Sequence, residues 1–129
     1  MARPKSTTLT DRESEIMDAL WSMGSATSEQ IRAKLSGNPH DSTVRTLLRV
    51  LVAKNHVVAD SESRPTIYRP TMRRKTVQKK IVRNLLKRFF GGSPKDLVMQ
   101  LLDDERLTPD QLKAIEEEYR QRSKRRELP

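Results

Sequence analysis

Three apolar stripes at helical spacing, each followed by a short polar turn, occupy the first part of the chain. The first follows Thr10-Asp11-Arg12-Glu13 and the second follows Thr27-Ser28-Glu29-Gln30; both tetrapeptides are capping boxes that predict the start of a helix. The third stripe repeats at the i, i+3, i+4 spacing of one helix face and consists of Val44, Leu47, Leu48, Leu51 and Val52. An isolated short helix cannot bury its apolar stripe, so we expect the three helices to pack on one another.

Two β-prone segments follow the third predicted helix, which is predicted to end at Asn55, a residue type that tolerates the left-handed conformation. They cover residues 57–60 and 66–69, a polar segment at 61–65 separates them, and Pro70 follows the second. This pattern predicts a β-hairpin. The order helix, helix, helix, hairpin is typical of a winged helix-turn-helix, so residues 1–72 are predicted to form a winged helix DNA-binding domain.

Residues 73–129 are predicted to form a helical dimerisation domain with a basic tail. A wide apolar stripe at 77–90 ends at Gly91-Gly92, and Ser93-Pro94 and Thr108-Pro109 have the N-cap and proline pattern that begins a helix. We expect these stripes to pack against the same helices of a second chain; the alternative is that they fold back on the first domain. The predicted contact residues are Val77, Ile81, Leu85, Phe89, Leu97, Leu101, Leu112 and Ile115. The fold class is therefore mainly α with a small β-hairpin wing.

Charge and composition limit the classes of partner and activity that this chain can have. The 26 Lys and Arg residues against 17 Asp and Glu give a net charge of +9, of which residues 73–129 carry +7, and such a balance favours a polyanionic partner. No cysteine is present, and His40 and His56 are too far apart in sequence for a local metal-ligand spacing. The sequence predicts no enzyme activity, metal, cofactor or small-molecule substrate. Without a membrane-length apolar segment or a secretion signal, a cytoplasmic location is expected.

The free face of the third predicted helix carries groups suited to DNA. Its small hydroxyl side chains allow a helix to enter the major groove, and its two arginines have the planar fork that binds guanine O6 and N7. The start of the second helix offers amides for a phosphate, the hairpin turn carries an arginine, and Arg3 and Lys5 form a basic arm. The residues predicted to contact DNA are Thr27, Ser42, Thr43, Arg45, Thr46, Arg49 and Arg64.

Several segments together carry a family resemblance. They are residues 9–17 with Leu20-Trp21, residues 43–48 with Leu51, Lys54 and Asn55, then Tyr68, Pro70, Leu97-Val98 and Leu107-Thr108. With them, residues 9–118 resemble the BlaI/MecI family of penicillinase repressors. The resemblance implies a homodimer that binds a palindromic operator and represses β-lactam-resistance or related stress genes. It also implies Thr43, Arg45 and Thr46 as recognition positions and Arg64 as a wing contact.

The same resemblance implies a route of derepression. In the family, a membrane sensor-protease leads to cleavage of the repressor in its dimerisation domain at an Asn-Phe bond, and Gln100-Leu101 stands at the matching position. The alternative to a repressor is a winged-helix module that binds nucleic acid or protein without repressor activity.

Overall fold

The computed structural model describes residues 8–127, so the basic arm predicted at Arg3 and Lys5 lies outside the described residues. In chain order the elements are α1 (Asp11–Met23), β1 (Ala26–Thr27), α2 (Ser28–Lys34), α3 (Asp41–Ala53), β2 (Val57–Asp60), β3 (Ile67–Pro70), α4 (Arg74–Phe89), α5 (Pro94–Asp103) and α6 (Pro109–Glu127). This is the predicted mainly α fold with a small β wing. The chain forms two compact units, and the division falls between Gln78 and Lys79, inside α4.

Both predicted capping boxes are present. The Thr10 hydroxyl accepts a hydrogen bond from the Glu13 amide at 3.2 Å, and the Glu13 carboxylate accepts one from the Thr10 amide at 2.8 Å. Thr27 and Gln30 make the same reciprocal pair at the start of α2. These bonds satisfy amides that have no partner inside the helix, which is why the two helices begin where the sequence predicts.

The core of the first unit is formed by one face from each of the first three helices. Ile16 and Leu20 of α1, Ile31 of α2, and Val44 and Leu48 of α3 are all fully buried. The buried positions of α3 recur every three or four residues, so the helix turns its remaining face to solvent. After α3, Asn55 adopts a positive φ of 65°, the left-handed conformation predicted for it.

The sheet contains one strand more than the predicted hairpin. β3 lies at its centre and pairs antiparallel with both β1 and β2, in the order β1-β3-β2. β1 has only two residues, too few to show an alternating pattern in the sequence. Pro70, expected to stop the second strand, is instead its last residue and pairs with Val57. We call β2, β3 and their connection 61–66 the wing.

The second unit contains most of α4 with α5 and α6. Ser93 caps α5, with Pro94 at the first helical position, as the sequence predicts. None of the residues 79–126 is fully buried. Among residues 8–127, no helix is both long enough and apolar enough to cross a membrane.

A buried ion pair joins α1 to the end of α3. Lys54 donates hydrogen bonds to both carboxylate oxygens of Glu13, at 2.9 and 3.0 Å, and the two side chains are only 10% and 2% exposed. Burial alone raises the pKa of the Glu13 carboxyl, but the hydrogen bonds from Thr10 and Lys54 and the positive charge of Lys54 outweigh it and lower the pKa. The carboxylate therefore stays charged at neutral pH and needs its cation.

Replacing Lys54 by Ala is expected to destabilise the first unit by about 3 kcal/mol, because it leaves the Glu13 carboxylate buried without its cation. Urea unfolding followed by the fluorescence of Trp21, the single tryptophan, measures the change. The double variant Glu13→Gln with Lys54→Met removes both charges and should be more stable than Lys54→Ala alone. A single variant with an unchanged urea midpoint would contradict this account.

Candidate nucleic-acid interface

An open groove of about 630 Å³ separates α3 from the wing. Its lining includes three of the predicted DNA-contacting residues, Arg45 and Arg49 from α3 and Arg64 from the wing connection, and contains no acidic residue. The other polar lining residues are Ser28, Ser61, Ser63, Thr66 and Tyr68. We call this feature the α3–wing groove; its cationic lining suits a polyanion.

The three arginines of the α3–wing groove differ in their partners. The Arg45 guanidinium forms an ion pair with Asp41, one helical turn earlier, with Nε 3.1 Å from Oδ2. Arg49 and Arg64 are exposed, and among residues 8–127 neither has an ion-pair or side-chain hydrogen-bond partner. Two free cations and one tethered cation therefore line the same groove.

The predicted hydroxyl contacts lie along the exposed face of α3. Ser42 and Thr46 are one turn apart, and Thr46 donates its hydroxyl proton to the Ser42 carbonyl at 2.9 Å. The Thr46 oxygen is thus left to accept a hydrogen bond, and its methyl group is left to make apolar contact. Thr43 is exposed and, unlike Arg45 and Arg49, does not line the α3–wing groove.

Thr27 lies apart from the α3–wing groove. Its hydroxyl oxygen accepts from the Gln30 amide within α2, and the residue lines a second cavity of about 270 Å³ next to Asp41 and Arg45. The structure therefore brings Arg45, Arg49 and Arg64 together and leaves Thr27, Ser42, Thr43 and Thr46 outside that groove.

Most of the predicted dimer-contact residues are accessible. Phe89 on α4 is 68% exposed and Ile115 on α6 is 52% exposed, although both are large and apolar. Ile81, Leu85, Leu101 and Leu112 are also exposed, and Leu97 is half-buried. Val77 differs, since it is 7% exposed and belongs to the first unit.

Gln100 and Leu101, the predicted cleavage position, lie in the second half of α5. Both residues are exposed, and the Gln100 side chain donates a hydrogen bond to Asp104 at 2.9 Å. Their peptide bond is therefore part of a helix whose residues are not buried.

Sequence reasoning missed two parts of this surface. The sequence predicts that the serines of the wing connection lie in a turn, but it does not indicate that they line the groove, because nothing local shows which way a turn faces. The Asp41–Arg45 pair has a visible signal, opposite charges four residues apart on a predicted helix. Within residues 8–127, no group of three or more His, Cys, Asp or Glu side chains is placed to bind a metal ion.

Comparison with known families gives one assignment. The family model described as penicillinase repressor matches residues 9–121, which cover most of both units described above. A comparison with curated proteins finds no match.

Replacing Arg64 by Ala is expected to weaken binding to any duplex DNA and to reduce the slope of log affinity against log salt by about 0.9, the value for one lost phosphate contact. Arg69→Ala is the matched control, because Arg69 is an exposed arginine of the same wing that does not line the groove. Fluorescence anisotropy over a range of salt concentrations gives both slopes. Arg69→Ala should keep the slope of the unmodified chain, and the same unchanged slope for Arg64→Ala would show that Arg64 makes no phosphate contact.

Proposed function

The chain belongs to the penicillinase repressor family and is therefore a DNA-binding transcriptional repressor and not an enzyme; from this premise we propose that it acts as a homodimer on a palindromic operator. We further propose that it controls β-lactam-resistance or related stress genes and that proteolysis relieves repression. The observation that carries the DNA-binding part is the α3–wing groove, where Arg45, Arg49 and Arg64 meet without an acidic residue in the lining.

Recognition of a base sequence is assigned to α3. Its exposed face carries hydroxyl groups and two arginines, and a helix with this face is suited to the major groove, where each base pair has a distinct pattern of donors and acceptors. Arg64 lies across the groove from α3 and is proposed to contact the phosphate backbone, which sets orientation without carrying sequence information.

Dimerisation is assigned to the second unit. Large apolar side chains such as Phe89 and Ile115 remain exposed, and no residue from 79 to 126 is fully buried. A helical unit without a buried core needs further apolar surface to be stable, and a second copy of the same unit supplies it. Two identical winged helix units would then read an inverted repeat.

The expected operator is an inverted repeat whose half-site centres lie about 10 base pairs apart, or a multiple of that distance. Duplexes recovered by the full chain from a randomised library, followed by footprinting, test this prediction. Phe89→Ser with Ile115→Ser should weaken self-association by about 2 kcal/mol for each apolar side chain no longer buried and should reduce protection of the repeat. Gln121→Ser, on the exposed surface of α6, is the neutral control.

Two results would contradict this proposal. Recovery of duplexes without a shared inverted repeat would exclude sequence-specific operator binding. A dimer that sediments identically with and without Phe89 and Ile115 would show that the apolar surface of the second unit is not the contact.

Proteolytic control is proposed to act at the Gln100-Leu101 bond. A protease needs an extended substrate, so α5 must open locally, and a helix without buried residues opens at low free-energy cost. Incubation of the full chain with the family's membrane sensor-protease is expected to give fragments 1–100 and 101–129 by mass spectrometry. The same incubation with heat-inactivated protease is the control, and an intact mass or a cut elsewhere would rule out this site.

A further inference from the structure

We propose that Asp41 is a specificity-determining residue: it positions Arg45 to read a guanine and weakens the attraction of Arg45 for phosphate. The inference rests on the proposed function of α3 as the element that reads DNA. It goes beyond that function by giving an acidic side chain a defined task in a basic surface.

The first observation is the edge of the guanidinium that Asp41 occupies. The Asp41 carboxylate contacts Nε of Arg45 at 3.1 Å. Among residues 8–127, Nη1 and Nη2 of Arg45 have no partner. These two nitrogens form the outer fork of the planar group, and two parallel N–H bonds from such a fork match O6 and N7 of guanine in the major groove.

The second observation is the position of Asp41 in α3. It is the acidic residue in the first turn, and His40, the N-cap residue, makes no side-chain capping bond. The positive end of the α3 dipole therefore favours a carboxylate at this position. Because the side chains of Arg45 and Asp41 are 64% and 44% exposed, the pair adds little to stability, and its main effect is on the direction of the arginine.

The third observation is the contrast with the other arginines of the α3–wing groove. Arg49 and Arg64 have no ion-pair partner among the described residues and attract any phosphate. Arg45 has a negative charge beside it, which opposes the full charge of a phosphate more strongly than the partial charges of O6 and N7 of a guanine. The two arginines without an ion pair thus attract phosphate more strongly than Arg45 does, and the tethered Arg45 is the arginine whose binding depends most on a guanine.

The test compares four single variants of the full chain and the double variant Asp41→Ala with Arg45→Ala. Two probes are used, the duplex that the unmodified chain selects from a randomised library and a duplex of scrambled sequence. Asp41→Ala breaks the pair, and Asp41→Glu keeps a carboxylate within reach four residues before Arg45. Arg45→Ala removes the reading group. Glu29→Gln is the matched control, since Glu29 lines the same second cavity as Asp41 and forms no ion pair with Arg45.

Asp41→Ala is expected to bind the scrambled duplex more tightly and to lower the ratio of selected to scrambled affinity about tenfold, as expected for one lost bidentate guanine contact. Repeated selection with this variant should lose the preference for guanine at the same position that Arg45→Ala loses. Asp41→Glu should restore most of the ratio, and Glu29→Gln should keep it. Thermal unfolding of each variant confirms that the first unit is folded.

An unchanged ratio of selected to scrambled affinity in folded Asp41→Ala would overturn the proposal. An equal loss of this ratio in Glu29→Gln would also overturn it, because the loss would then come from removing a negative charge and not from releasing Arg45. If Arg45→Ala with Asp41→Ala loses more discrimination than Arg45→Ala alone, Asp41 does not act through Arg45. Failure of the proposed function is a separate result: the unmodified chain would itself select no sequence, and the proposal would fall with it.

Discussion

The orientation of the surface proposed to read DNA depends on the buried pair between Glu13 and Lys54. Glu13 closes the capping box at the start of α1, and Lys54 is the C-cap residue of α3, so one ion pair fixes the end of one helix against the beginning of the other. Lys54 also donates to the Thr8 carbonyl at 3.2 Å. Since the arginines and hydroxyls lie on the face of α3 opposite its core, any rotation of α3 would move them together, and this anchor resists that rotation.

A second polar contact holds α1 to the turn between α2 and α3. Glu15 accepts hydrogen bonds from the hydroxyl and amide of Ser36, while Arg12 bonds both Glu15 and the Ser36 carbonyl. The Ser36 hydroxyl, the Arg12 guanidinium and the Ser36 amide lower the pKa of Glu15 from 4.5 to about 2. Because the folded pKa is the lower one, this contact stabilises the fold fully above pH 4.5, and its contribution is lost as the pH falls towards 2. Together the two contacts hold α1 to the end of α3 and to the turn that precedes α3.

The parts that sequence predicted are those with local causes. The capping boxes at Thr10 and Thr27, the core stripe of α3 and the turn at Asn55 each depend on residues within a few positions of one another, and the structure confirms them. The parts that it missed depend on distant residues. β1 forms because Ala26 and Thr27 pair with Tyr68 and Ile67. Lys54 binds Glu13, a residue 41 positions earlier in the chain. Arg45 and Arg49 share a helix face because they are four residues apart, but the approach of Arg64 to them needs the fold, because nothing in the sequence indicates which face of α3 the wing connection lies beside.

The low net charge of the segment that carries the proposed reading surface is consistent with the role proposed for it. A surface that reads bases gains little from a high net charge, because phosphate attraction strengthens binding to every sequence alike. Residues 1–72 carry a net charge of only +2, because Arg73, Arg74 and Lys75 follow the wing, and an acidic residue lies beside one of the three groove arginines. Weak attraction near each proposed reading surface makes affinity depend on two copies binding together, since linkage of two sites multiplies their effect when the geometry fits. The exposed apolar surface of the second unit would then determine the affinity of the dimer for DNA, and Asp41 with α3 would determine which DNA sequence is bound.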